Sequence, residues 1–141
     1  MFPDPINFNL ETNDEKNDFF FTIMHSSVGA GRYVVQTRCP SDFAQIELEL
    51  EPYSGESHFL LDWRVTEEQI PKFLQSGVIA GIRHASVQKY SVDGMLVQIK
   101  VNVVNGRYHP VDSCERSLRE ATKWAFEDAI KKNKIVPFVR K

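Results

Sequence analysis

The chain has 141 residues, a length suited to one domain, and 42% of them are hydrophobic, enough for a core. No apolar run approaches the roughly 20 residues a membrane helix needs, and no basic segment precedes an apolar one at the N-terminus, so neither a span nor a secretory leader is expected. The net charge of −2 excludes a polycation, but residues 1–69 hold 4 Lys/Arg against 13 Asp/Glu while residues 70–141 hold 13 against 6. Two readings of this asymmetry stand: the halves neutralise each other in the fold, or the second half meets an anionic partner. Cys39 and Cys114 are far apart and form neither a disulfide framework nor a zinc spacing, so a reducing cytoplasm and no metal or cofactor are expected.

Residues 1–18, acidic and punctuated by Pro3 and Pro5, are expected to form a flexible N-terminal arm ahead of a single domain over 19–141. Met1 and the acidic arm suggest a complete product. Structure is expected to begin with a strand in "FFFTIMHSS", followed by a turn at "VGAG" (Val28–Gly31) and a β-rich "RYVVQT". "RCPSD" (Arg38–Asp42) reads as a loop broken by Pro40. From Ala44 onward "FAQIELELEPY" alternates apolar and polar residues, the period of a half-buried strand. "SGES" is a turn and "HFLLDWRV" a further strand.

The hydrophobic period changes near residue 69. Ile70, Phe73, Leu74, Val78 and Ile82 fall on one helical face, predicting a helix over 69–85 with Pro71 in its first turn. Gly77 and Gly81 within it are expected to let a sheet approach. "MLVQIKVNVV" predicts a strong strand, which Asn105-Gly106 ends sharply. Asp112 or Ser113 is expected to cap a second helix over 113–132, with Leu118, Ala121, Ala125, Ala129 and Ile130 inward and lysines at the negative end of its dipole. Pro137 ends the regular structure. Several antiparallel strands, a helix, a strand and a helix imply an α+β two-layer sandwich, its mostly antiparallel sheet of four or more strands carrying both helices on one face.

"YHPVDSCERSLREATKWAFEDAIKK" resembles the signature that closes domain IV of translation elongation factor G, a Tyr-His-x-Val-Asp-Ser-x-Glu turn leading into an Ala-rich helix that ends in lysines. "GRYVVQT", "FAQIELELEP", "IPKFLQSGVIAGI" and "VQIKVNVVNGRYHPVDS" resemble the same domain in the same order, so that the likeness covers about residues 20–137. The resemblance implies that domain's fold, with an uncommon left-handed β-α-β crossover. It also implies a rigid finger whose two tip loops enter the ribosomal decoding centre. By position those loops are Thr37–Asp42 and Asn105–Asp112, and His109 matches the family's tip histidine. The implied contact residues for the ribosome or structured RNA are Arg38, Ser41, Asn105, Arg107, Tyr108 and His109. Two departures are visible. The first loop is "TRCPSD" rather than glycine-rich, and Pro40 removes a backbone donor. No G-x-x-x-x-G-K-[ST] phosphate loop occurs, so no nucleotide binding is expected.

Each of these side chains also has a structural reading. Arg107 offers a planar fork to phosphate and Tyr108 a stacking face, but Tyr108 can equally pack under the turn. Asp112 beside a helix start is expected to cap rather than catalyse, and Ser113 with His109 lacks an orienting acid and an oxyanion site. Gly29 and Gly31 precede a strand, not a helix, so they form no phosphate loop. Trp63 and Trp124 are expected in the core or at its rim. The resulting expectation is a non-enzymatic, cytoplasmic domain with a ribosome or RNA partner and no membrane association. A protein–protein adaptor that kept the fold but lost the RNA surface is the alternative, and a small enzyme the third reading.

Overall fold

A computed structural model describes residues 2–10, 20–35, 42–87 and 94–139. Its main sheet has five strands: β1 (Ile6–Phe8), β3 (Ser27–Val35), β4 (Asp42–Pro52), β5 (Phe59–Trp63) and β7 (Ile99–Arg107), in the order β1-β5-β7-β4-β3. Only β5 and β7 run parallel; the other three pairings are antiparallel. The connection between β5 and β7 carries a short 3-10 turn (Lys72–Leu74), helix α1 (Gln75–Ser86) and strand β6 (Met95–Leu96). Helix α2 (Glu115–Lys131) follows β7. A small second sheet joins β6, β2 (Phe20–Ile23) and β8 (Ile135–Pro137). No helix among the described residues is long and apolar enough to cross a membrane. The architecture is the expected α+β sandwich with both helices on the inner face.

Alternation decides which side chains the sheet buries. On β4 the even residues Ile46, Leu48 and Leu50 point inward with Phe59, Leu61 and Trp63 of β5 and Ile99, Val101 and Val103 of β7. Against them pack Leu118, Phe126 and Ile130 of α2 and Val78 and Ile82 of α1. The predicted inward stripe of α2 is thus the observed one.

Several expectations need correction. "VGAG" is not a turn but the start of β3, where Gly29 and Gly31 face α2. A Cβ on Gly31 would lie 2.0 Å from the Ala121 carbonyl oxygen, and one on Gly29 would lie 2.0 Å from that of Ala125. These glycines and the Ala121, Ala125, Ala129 stripe bring helix and sheet backbones together. Gly77 and Gly81 play the same part between α1 and α2, not toward a sheet: their added Cβ atoms would meet the carbonyls of Glu115 and Arg119. Helix α2 is therefore closely packed on both sides.

The first helix starts later than residue 69. Thr66 and Gln69 bond each other reciprocally, Gln69 N–H to Thr66 Oγ1 at 3.2 Å and Thr66 N–H to Gln69 Oε1 at 2.9 Å, and this seeds a turn. Pro71, extended at ψ 146°, interrupts it before the 3-10 turn. Phe73 consequently leaves the apolar face and is 74% exposed.

"MLVQIKVNVV" is two strands, not one. Between them Gln98 adopts φ 59°, a left-handed conformation. Its side-chain amide donates to the carbonyls of Tyr53 and Gly55, and its N–H to that of His58, which holds it there. Residues 2–10 are not part of a loose arm either: Ile6–Phe8 pairs with β5, and Phe8 stacks on Phe59 with ring centroids 5.1 Å apart. Residues 11–18 lie outside the described residues. Regular structure does end at Pro137 as expected, its last element being β8, which pairs with β2.

Candidate nucleic-acid interface

The predicted second tip loop begins on β7, where a bulge decides which side chains face outward. Opposite Glu47 and Leu48 the register steps from Asn105 to Val103, leaving Val104 as the extra residue. Before the bulge the odd residues Ile99, Val101 and Val103 face the core; after it Asn105 and Arg107 are exposed and Gly106 turns inward against Ile70. One inserted residue thus presents Asn105 and Arg107 on the outer face. Asn105-Gly106 does not end the strand, which runs through Arg107.

The turn that follows is tied to the start of β4. Phe43 N–H donates to the Asp112 carbonyl at 3.1 Å, and Ser113 Oγ donates to the Phe43 carbonyl at 2.6 Å. His109 N–H donates to Ser113 Oγ at 2.8 Å, while Ser113 N–H donates to the His109 carbonyl at 2.8 Å. The His109 ring lies 4.3 Å from that of Phe43, and its Nδ1 is 3.7 Å from Asp112 Oδ2. His109 is therefore partly exposed but fixed on one face. Val111, 88% exposed, lies in the same turn.

The expected cap moves by one residue. Cys114, not Asp112 or Ser113, is the N-cap of α2, because the Asp112 and Ser113 backbones already serve the docked turn. Ser117 Oγ accepts from Cys114 N–H at 2.7 Å, and the Cys114 side chain takes the Ser117 N–H. Beside this cap Asp42 is buried, and Arg116 Nη2 reaches its two oxygens at 3.0 and 2.8 Å. That hydrogen bond raises the Arg116 pKa above its ordinary value. Cys114 Sγ lies 3.6 Å from Asp42 Oδ1. The first residue of β4 is thereby clamped to the first turn of α2.

The structure brings together Asn105, Arg107, Tyr108 and His109. Asn105 Oδ1 accepts from Gln69 Nε2 at 3.1 Å and from Gly106 N–H at 2.9 Å. Tyr108 is half-buried against the core cluster, supporting the turn from beneath. Arg38 and Ser41, with Cys39 and Pro40, lie outside the described residues. Sequence reasoning missed Arg32, Gln45 and Phe43. Arg32 is exposed on β3 with its guanidinium 6.0 Å from the Phe43 ring centre. Extending the strand alternation back through "VGAGR" would have found it. Trp63 is core, as expected, and Trp124 packs at the rim edge-on to Tyr33.

Comparison with known proteins adds identity to this geometry. The family described as elongation factor G, domain IV, matches residues 22–134. The elongation factor G of Carsonella ruddii (strain PV) is 30% identical over 132 residues, which cover 89% of this chain and 19% of that protein. That of Petrotoga mobilis (strain DSM 10674 / SJ95) is 28% identical over 130 residues, 91% of this chain and 19% of the relative. A crystal structure of a Thermus thermophilus protein superposes with a TM-score of 0.79 at 28% identity, covering 90% of this chain and 19% of that one. The chain thus spans about a fifth of the length of these relatives. With the sandwich, the crossover from β5 to β7 and the docked Tyr-His-x-Val-Asp-Ser turn in place, this translation-factor-like chain belongs to the elongation factor G domain IV family.

Proposed function

We propose that the chain associates with the ribosome or with structured RNA through the end of the sandwich that carries Asn105, Arg107, Tyr108 and His109. The observation that carries this reading is the docking of the 108–113 turn on Phe43 by two hydrogen bonds and a ring contact. A turn held this way loses little conformational freedom on binding, which suits insertion into a crowded RNA site. Arg107 supplies the charge for phosphate, and the exposed edge of His109 a donor or stacking group. The role is non-catalytic, in keeping with the domain of the family to which the chain corresponds.

The test is co-sedimentation with purified ribosomes over a salt series, with thermal melts of each variant. Arg107→Ala with His109→Ala is expected to weaken association while leaving the melt close to the parent's. The slope of log affinity against log salt is expected to become shallower by about one for the lost phosphate contact. Association that ignores both the salt and the double substitution would point instead to a protein–protein adaptor, a role for which the exposed Val111 at the turn is suited.

A further inference from the structure

The outer face of the sheet carries a second feature beside the tip. In the register, Arg32 of β3 lies opposite Gln45 of β4, and Gln45 lies opposite Arg107 of β7. The three form one row across adjacent strands, and all three are exposed. Neighbouring strands are about 4.8 Å apart, so the two arginines flank Gln45 with their Cα atoms roughly 10 Å from each other. Together with Glu47 and Asn105, the next row along, they line an open depression of about 350 Å³.

The charges in this row are available. Elsewhere on the outer face cations are matched: Arg64 lies 2.8 Å from Asp62, and Lys100 lies 3.9 Å from both Glu51 and Asp62. Arg116 is bound to Asp42. Neither Arg32 nor Arg107 has an ion-pair partner among the described residues. Glu47 lines the same depression and forms no ion pair with either guanidinium among the described residues, so two cations face one carboxylate there. Gln45 adds an amide donor between the two forks, and Asn105, whose oxygen is engaged by Gln69 and Gly106, keeps its amide hydrogens for a ligand.

We propose that the Arg32–Gln45–Arg107 row seats the phosphodiester backbone of an RNA strand on the open sheet face, as a contact additional to the turn. Two planar forks flanking an amide donor suit phosphate oxygens, and the flat exposed face leaves room for a strand to pass. The proposal rests on the RNA reading above and extends the footprint from the turn onto three strands.

The experiment measures binding of a labelled RNA hairpin by fluorescence anisotropy over a salt series, with thermal melts as a check on folding. The variants are Arg32→Gln, Arg32→Lys and His109→Ala. Arg32→Gln is expected to weaken binding about 3- to 10-fold and to make the salt slope shallower by about 0.7–0.9. Arg32→Lys, which keeps the charge and loses the fork, is expected to retain the slope and recover part of the affinity. Parent-like affinity and slope in Arg32→Gln would overturn the proposal, and a loss confined to His109→Ala would then leave the turn alone as the RNA contact. Failure of the parent chain to bind the hairpin at low salt would overturn this proposal, while ribosome co-sedimentation decides the reading it rests on. Arg32-dependent binding of poly-glutamate in place of RNA would also overturn the proposal and would make the partner an acidic protein.

Discussion

Cys114 opens α2 although Asp112, two residues earlier, carries the better capping side chain. The reason lies in the backbone: the Asp112 carbonyl accepts from Phe43 N–H, which places the residue in the docked turn and outside the helix. Ser117 completes the cap instead, buried and bonded to both the N–H and the carbonyl of Cys114. Ser117→Ala is therefore expected to cost about 1 kcal/mol in denaturant unfolding, the usual size of a lost cap. Asp112→Ala should stay within about 0.5 kcal/mol, because among the described residues its carboxylate meets only His109, at 3.7 Å. A second residue gives the fold a pH dependence. Asp128 accepts from Ala30 N–H at 3.0 Å and from Lys132 Nζ at 3.2 Å, and the backbone bond, ahead of the lysine, lowers its pKa. A depressed folded pKa stabilises the fold above the ordinary carboxylate range and ceases to do so as pH falls through the folded value. Asp128→Asn should therefore melt below the parent at pH 7, with the gap closing as the pH falls through and below the ordinary carboxylate range. A gap independent of pH would show that the carboxylate charge is not the contributor.

Contacts between elements, rather than within them, explain what the sequence left hidden. The alternation in β4 and the inward stripe of α2 are local patterns that appear where they were expected, whereas the change of period near residue 69 marks a turn that becomes helix only at Gln75. Gly29 and Gly31 carry no local signal that separates a strand from a turn. Their requirement for hydrogen in place of a side chain comes from α2, about 90 residues further along the chain. The bulge at Val104 is similarly a property of the pairing with β4, and without it neither the outward aim of Arg107 nor its alignment with Arg32 could be read. The docked turn was legible through its motif; the row beside it was hidden because Arg32 follows a stretch that reads as a turn. The three-residue strands β1 and β8 are too short to show a period and exist through their partners. Two glycine substitutions test the close approach. Gly31→Ala would drive a Cβ into the Ala121 carbonyl, and neither the helix nor the sheet backbone can yield without disturbing the core, so a loss of about 2–3 kcal/mol is expected. Gly55→Ala would meet the phenol end of Tyr53, a side chain able to move, and is expected to cost less than about 1 kcal/mol in the same denaturant titration. Equal losses would mean that the helix stands off the strand.

At the scale of the whole molecule, scaffold and presented surface occupy different stretches of the same strand. Residues 99–103 of β7 pair with β5, whose other edge is covered by β1, whereas residues 105–107, past the bulge, carry the exposed Asn105 and Arg107 proposed to meet RNA. Phe8 is the main apolar anchor of that covering strand: it is buried, stacked on Phe59 and overlaid by the Arg83 guanidinium 5.4 Å from its ring centre. Phe8→Ala removes an aromatic side chain from a site at the border of the sheet, where partial collapse can offset some of the cavity. The expected cost is about 3 kcal/mol, the lower end for such a change. Against a total of about 5–15 kcal/mol for a domain, that is a substantial fraction. Removing residues 2–10 should go further, freeing the β5 edge for pairing with other copies, with light scattering rising at protein concentrations where the parent stays clear. The separation along β7 makes a second demand on the Phe8→Ala variant. Well below its lowered melting temperature, where nearly all molecules are folded, its affinity for ribosomes should equal that of the parent. The turn is fixed by Phe43, Ser113 and the Asp42–Arg116 clamp, none of which contacts Phe8. A fall in both stability and affinity would mean that the two ends of the sheet are coupled, and binding would then have to be read as a property of the whole sandwich rather than of its tip.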